Sequence, residues 1–286
     1  VQVFDKMSNL TTCQVLSGSH SESMKSATSS QPKPAALTAK QLEIRQRSAR
    51  ILDTVFPIIC EQGLSAVNVE AIAREMQCTR GTIYNHFPNK EEILLALATR
   101  SVRRRMELFR FAVTLGDRPR ECCAAIGMAA EVYVDCLPDD FAIEQIIRHV
   151  PVWQKTSPGR REVLTQCEQQ CIGCLSGVVE SAVQSGDLIV DDPTTMPATV
   201  SQLVFGLWSL VYGGLVLEAT SPSLSMAGIS DARTAIRRNC NALLDEIGWR
   251  PLYDSASYEE FIKRITPRLR KHIEIIRVET IQEALE

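Results

Sequence analysis

Apolar residues recur at helical spacing along nearly the whole chain, and no stretch alternates long enough to predict a strand. Over 38–62, Leu42, Ile44, Ile51, Leu52, Val55, Phe56, Ile58 and Ile59 mark one buried stripe, which Gly63 ends. Pro57 lies inside that stripe and predicts a bend. Asn68 then opens a short helix whose apolar set is Val69, Ile72, Ala73 and Met76, the i, i+3, i+4, i+7 pattern. Gln77, Cys78 and Thr79 break it. Thr79 is a second N-cap, and Ile83 and Phe87 pin the helix that follows against the first. Arg80, Thr82, Tyr84, Asn85 and His86 are left on the outer side. Pro88 stops this helix, and Asn89 caps a long one reaching about residue 115. Two short helices about a three-residue turn, the second with a polar outer face, predict a helix-turn-helix.

The rest of the chain predicts helices over 120–137, 140–149, 160–185, 196–219, 231–247 and 257–284. Breaks fall at Pro138, Pro151, Pro158-Gly159, Gly186, Pro193, Pro222, Gly228, Gly248 and Pro251. The expected fold is all-α, with an N-terminal three-helix domain joined to a helical body. The expected division is a disordered Ser-rich tail over 1–37, the helix-turn-helix domain over 38–97, and the body over 98–286. The most apolar window, 203–217, is shorter than the roughly 20 residues a membrane span needs, so a buried helix and no membrane partner are expected. Within it Gly206, Ser209, Gly213 and Gly214 form a small-residue stripe that suits close helix approach. The helices over 160–185 and 196–219 are candidate faces of a homodimer; they are equally readable as the core of one chain.

Charge sharpens the division. Residues 37–120 carry 14 Lys/Arg against 9 Asp/Glu, a net of +5, whereas residues 121–286 carry 14 against 23, a net of −9. A basic front and an acidic body suit one face meeting phosphate. The ten cysteines come without a secretory leader pattern, so reduced, buried thiols in a cytoplasmic protein are expected. Cys167, Cys171 and Cys174 carry the spacing of an iron–sulfur ligand set, which would make a metal- or redox-sensing regulator. The same i, i+4, i+7 spacing is that of a buried helix stripe. No nucleophile–base pair, phosphate loop or carboxylate pair stands out, so neither catalytic residues nor a cofactor is expected.

The stretch from about 47 to 97 resembles the N-terminal domain of the TetR family of bacterial transcription repressors. The resemblance is carried by Ile51-Leu52-Asp53, Glu61-Gln62-Gly63, Val69, Ile72-Ala73, Thr79 through Phe87, and Asn89-Lys90-Glu91-Glu92. It implies a double-stranded DNA operator, a homodimer and a small-molecule effector bound in the body. On the recognition helix it implies that Thr79, Arg80, Thr82 and Asn85 face the major groove, with Gly81 keeping the helix close. Tyr84, His86 and Lys90 match positions that hold phosphates, and Arg47 lies at the helix end that approaches the backbone. Asn68 completes the candidate set. For the effector, a largely apolar organic molecule is expected, with Met128, Tyr133, Phe141, His149, Trp153, Trp208 and Tyr212 as candidate lining residues. A shift of the long helix after Asn89 would re-space the two reading heads. The cluster Arg100, Arg103, Arg104 and Arg105 on that helix reads as a basic patch, with pairing to Glu107 as the plain alternative.

Overall fold

The computed structural model describes residues 38–148 and 150–285. The expected tail over 1–37 lies outside the described residues. Eleven α-helices account for the regular structure there, together with two single turns of 3₁₀ helix, and no strand occurs among the described residues. From Thr38 onward the chain is one unit. The expected boundary near 97 falls inside the long helix over 90–113.

The N-terminal helices form where their caps dictate. α1 (Ala39–Gln62) opens on a capping box between Thr38 and Gln41 and ends at Gly63, whose φ is 79°. α2 (Val69–Glu75) is capped by Asn68, which accepts from the Ala71 amide at 3.1 Å. α3 (Arg80–His86) is capped by Thr79, and α4 (Lys90–Val113) by Asn89, whose side chain accepts from the Glu92 amide at 2.8 Å. Ile51, Val55, Ile59, Ile72, Ile83 and Phe87 are buried together, holding α2 and α3 on α1 and α4. α1 runs unbroken through Pro57, which is exposed. Ile44 does not join the expected buried stripe. It is 49% exposed, since the packed length of α1 starts at Ile51.

The body is built from α5 (Pro119–Cys136), α6 (Pro138–Ile147), α7 (Val150–Gln154), α8 (Pro158–Ser185), α9 (Met196–Thr220), α10 (Ala232–Glu246) and α11 (Ser255–Leu285). Two prolines expected as breaks, Pro138 and Pro158, instead open α6 and α8. Pro119 and Pro197 likewise occupy the first turns of α5 and α9, where the missing N–H has no helical partner to lose. Pro151 falls inside the one-and-a-half-turn helix α7, which periodicity did not predict.

Two buried polar links lock α4 onto α6. Asp140 accepts from Ser101 Oγ at 2.8 Å and from Arg104 at 2.9 Å, and Glu144 pairs with Arg105 at 3.1 Å. Arg100 reaches back to Asp53 of α1 and lies over the Phe56 ring. The expected basic patch on α4 is thus mostly a set of intramolecular clamps, with Arg103 exposed and Glu107 paired to Arg110 instead. α11 packs along α5 and α4 with Phe261, Ile262, Ile265, Leu269 and Ile273 buried, and His272 stacks on Phe111.

α9 is longer than its apolar window. By length and composition alone it is long enough to cross a membrane, yet only 28% of its most apolar stretch is buried within this chain. The expected small-residue stripe divides between two faces. A Cβ on Gly214 would come within 2.5 Å of Ile236, and one on Gly206 within 3.0 Å of Leu243, so these two glycines admit α10. Gly213 meets nothing within 4 Å. It shares the outward side with Ser209, with Phe205, 67% exposed, and with Leu217, 53% exposed.

Candidate nucleic-acid interface and body cavity

α3 presents its outer side to solvent because Ile83 and Phe87 fix its inner side in the core. Thr79, Arg80, Gly81, Tyr84 and Asn85 are exposed, and Thr82 is half-buried. The Thr79 and Thr82 hydroxyls bond each other at 2.9 Å, and the Thr79 oxygen also takes the Thr82 amide. Arg80 is paired to Glu70 of α2 at 2.9 Å, an exposed pair that water screens. A base edge would have to replace that carboxylate. Gly81 has open room beside it, with only the Thr79 hydroxyl 3.7 Å from where a Cβ would stand. Asn68, Tyr84 and Lys90 line one open groove of about 530 Å³ between the start of α2 and the α3–α4 junction.

His86 does not stand on the outer side with the others. Its Nδ1 lies 2.8 Å from Ser48 Oγ on α1. Burial, with Arg47 and Arg160 adding to it, pushes the imidazole pKa below its ordinary value. Arg47 pairs with Glu43 at 3.0 Å on the exposed flank of α1.

The end of α3 is also tied to the body. Arg160, in the first turn of α8, donates to the His86 carbonyl at 3.0 Å, pairs with Glu92 at 3.3 Å and covers the Phe87 ring at 4.7 Å. Glu92 accepts the Ser157 amide, and Asn89 donates to the Lys155 carbonyl. Sequence reasoning missed this joint, because its members lie more than sixty positions apart along the chain.

Inside the body lies a cavity of about 110 Å³, measured to the centre of a water-sized sphere. Four of the expected lining residues, Tyr133, Phe141, Trp208 and Tyr212, do line it. Met128 faces away, into the core shared with α11, and Trp153 packs against the helix-turn-helix core beside Arg161. His149 lies outside the described residues. The remaining wall comes from α4, α5, α8, α9, α10 and α11, and it includes Arg105, Phe109, Gly127, Glu131, Cys171 and Arg237.

Three thiols, Cys123, Cys171 and Cys240, face this cavity, and burial pushes each up to about 12. Of the cysteine triplet on α8, Cys167 and Cys171 are buried, and the Cys171 sulfur points to the Val102 carbonyl at 3.9 Å. Among the described residues no group of three or more His, Cys, Asp or Glu is placed to hold a metal ion.

An exposed recognition helix on a three-helix head, continued by a helical body with an internal cavity, defines a helix-turn-helix regulator. The family of bacterial regulatory proteins of tetR type matches residues 51–97. That match covers the head, which is a DNA-binding helix-turn-helix of tetR type. A similar curated protein is an uncharacterised HTH-type transcriptional regulator, YuxN, of Bacillus subtilis, 26% identical over 77 residues. Those residues are 27% of this chain, and the match spans 26% of that relative's length. Among solved structures, a tetR-family regulatory protein from Rhodococcus RHA1 has a TM-score of 0.51 at 16% identity, covering 71% of this chain and 97% of its own. The regulator PfmR from Thermus thermophilus has a TM-score of 0.50 at 18% identity, covering 68% and 97%. At these identities the likeness shows the fold.

Proposed function

We propose that this chain is a sequence-specific transcription repressor that binds its operator as a homodimer and is released by a small, largely apolar molecule in the body cavity. The observation that carries the reading is the arrangement of α3. Its inner side is immobilised by Ile83 and Phe87, while Thr79, Arg80, Tyr84 and Asn85 are exposed on the outer side. The N-terminal ends of helices and exposed Arg and Asn suit base edges in a major groove.

Dimer formation is supported by the outward sides of α8 and α9. Phe205 and Leu217 lie on one, and Gly173 and Gly177, each with open space around it, lie on the other. One apolar face and one small-residue face per chain suit a four-helix interface about a two-fold axis. Release is supported by connectivity. α4 and α8 both line the cavity, α4 begins directly after α3, and α8 holds the end of α3 through Arg160. Burial of Cys167 and Cys171, with the Cys171 thiol pushed up and turned to the Val102 carbonyl, counts against the metal- or redox-sensing alternative. Acting on chromosomal DNA would place the protein in the cytoplasm.

Selecting duplexes from a random library with the full chain tests the reading. Enrichment of a near-palindrome with half-sites about one helical turn apart is the expected result. Binding without sequence preference would refute it.

A further inference from the structure

The cavity follows α5 from Arg120 to Val134, which at 1.5 Å per residue is about 21 Å of helix. With so small a volume over that length, it suits a slim molecule. Five charged side chains line it, and each already has a counter-charge. Arg105 pairs with Glu144 at 3.1 Å, Arg120 with Asp245 at 2.7 Å, Arg237 with Glu131 at 2.5 Å, and Glu168 with Arg148 at 3.0 Å. A charged ligand would enter a wall with no charge left to meet it, and an uncompensated buried ion is strongly disfavoured.

One polar need does remain. Arg105 is 6% exposed, and its Nε–H has no hydrogen-bond partner among the described residues. Glu144, its counter-charge, is held by the Tyr133 hydroxyl at 2.7 Å. A second feature lies on α5. Gly127 lines the cavity in the interior of the helix, where glycine is unfavourable relative to alanine. A Cβ there would meet nothing within 4 Å, so packing inside the chain does not require the glycine. The space beside it is open.

We propose that the effector is an uncharged, slim, apolar molecule with one acceptor oxygen, such as a ketone, ester, amide or lactone carbonyl. That oxygen takes the free Arg105 Nε–H, and the apolar body lies across Gly127. The inference rests on the reading of the cavity as the effector site.

Two dyes of one skeleton test it on the full chain: uncharged N-phenyl-1-naphthylamine and anionic 8-anilinonaphthalene-1-sulfonate. Methyl decanoate, decanoate and decylammonium serve as competitors. The uncharged dye should bind saturably, and methyl decanoate should displace it at least about tenfold more effectively than either ion, a gap of about 1.4 kcal/mol. Gly127→Leu should melt no lower than the parent and lose the dye. The carbonyl stretch of bound methyl decanoate should fall below its value in hydrocarbon, and return toward it in the Arg105→Met, Glu144→Met double variant. Equal or better competition by decanoate or decylammonium, or tighter binding of the sulfonate dye, overturns the uncharged class while leaving the cavity as a site. Full dye binding by Gly127→Leu overturns the placement across Gly127. Failure of both dyes to bind the parent chain would instead remove the effector-site reading itself.

Discussion

Replacing Arg160 by alanine isolates the joint between the body and the recognition helix. The side chain makes three contacts there: the hydrogen bond to the His86 carbonyl, the pair with Glu92 and the cover over Phe87. A hydrogen bond involving a charged group contributes about 1.5–3 kcal/mol, and a partly exposed cation over a ring about 0.5–1 kcal/mol. Arg160 is 39% exposed, so water screens its pair with Glu92, although Glu92 itself is only 4% exposed. Glu92 keeps the Ser157 amide, and the contacts overlap. The expected loss is about 2 kcal/mol, or about 4–8 °C in melting temperature for a domain of this size. Arg160→Lys keeps a charge near Glu92 but carries its donors on one nitrogen, without the fork that reaches Glu92 and the carbonyl from separate nitrogens, and should lose about half as much. Thermal melts and operator titrations by fluorescence anisotropy on the same preparations provide the measurement. Weakened operator binding should accompany the lower melting temperature, because α3, the helix proposed to enter the groove, loses an anchor at its C-terminal end. A melting temperature unchanged within about 1 °C, against the several degrees expected for such a loss, together with unchanged operator affinity would refute the joint.

Four further outcomes are expected. Arg80→Ala should relax base preference by about 1–3 kcal/mol at one position, while Lys90→Ala should weaken all sequences alike and reduce the salt slope by about one; footprinting and salt titration check both. Gly213→Leu should fold normally, since a Cβ there meets nothing in this chain, yet sediment as a monomer at micromolar concentration; an intact dimer would remove α9 from the interface. His86 has its pKa lowered in the fold, so the stability it contributes is present above the ordinary imidazole value of about 6.5 and is lost as pH falls through its folded value. Urea melts from neutral pH downward should show that loss in the parent and less of it in His86→Gln. Replacing Cys167, Cys171 and Cys174 by serine should leave ligand-driven operator release intact, and loss of release would restore the sensing role of the triplet.

The head was legible because its signals are local. Asn68, Thr79 and Asn89 cap helices within three residues of themselves, and each bond is present. Prolines misled where a break and a start share one residue: Pro158 follows a turn and begins the 28-residue helix α8. Periodicity also separates buried from exposed without saying which neighbour does the burying. Met128 and Tyr133 sit on the same helix and are both buried, but one faces α11 and the other the cavity. The charged part of the cavity wall stayed hidden for a related reason. Arg105 was read with its neighbours Arg103 and Arg104, whereas its partner Glu144 lies on another helix. His86 looked like an outer residue until Ser48, on α1, turned out to hold it.

The clamps that hid the cavity also bear on how a ligand there would act at a distance. Moving occupancy from about 99:1 to 1:99 requires a preference of roughly 5.5 kcal/mol for one conformation. A ten-carbon apolar chain gains about 0.8 kcal/mol for each methylene buried, a gross value above that requirement. Only the part that differs between the two conformations counts, so the walls must resist simple local expansion. α4 meets that condition, since Asp140 and Glu144 fix it to α6 by buried polar links that a small strain would have to break together. α8 meets it differently, with its cavity wall at Cys171 and Leu175 and its first turn at Arg160 on one continuous helix. A ligand that pushes these two helices apart therefore moves both attachments of α3 at once, the Asn89-capped start of α4 and the Arg160 bond to His86.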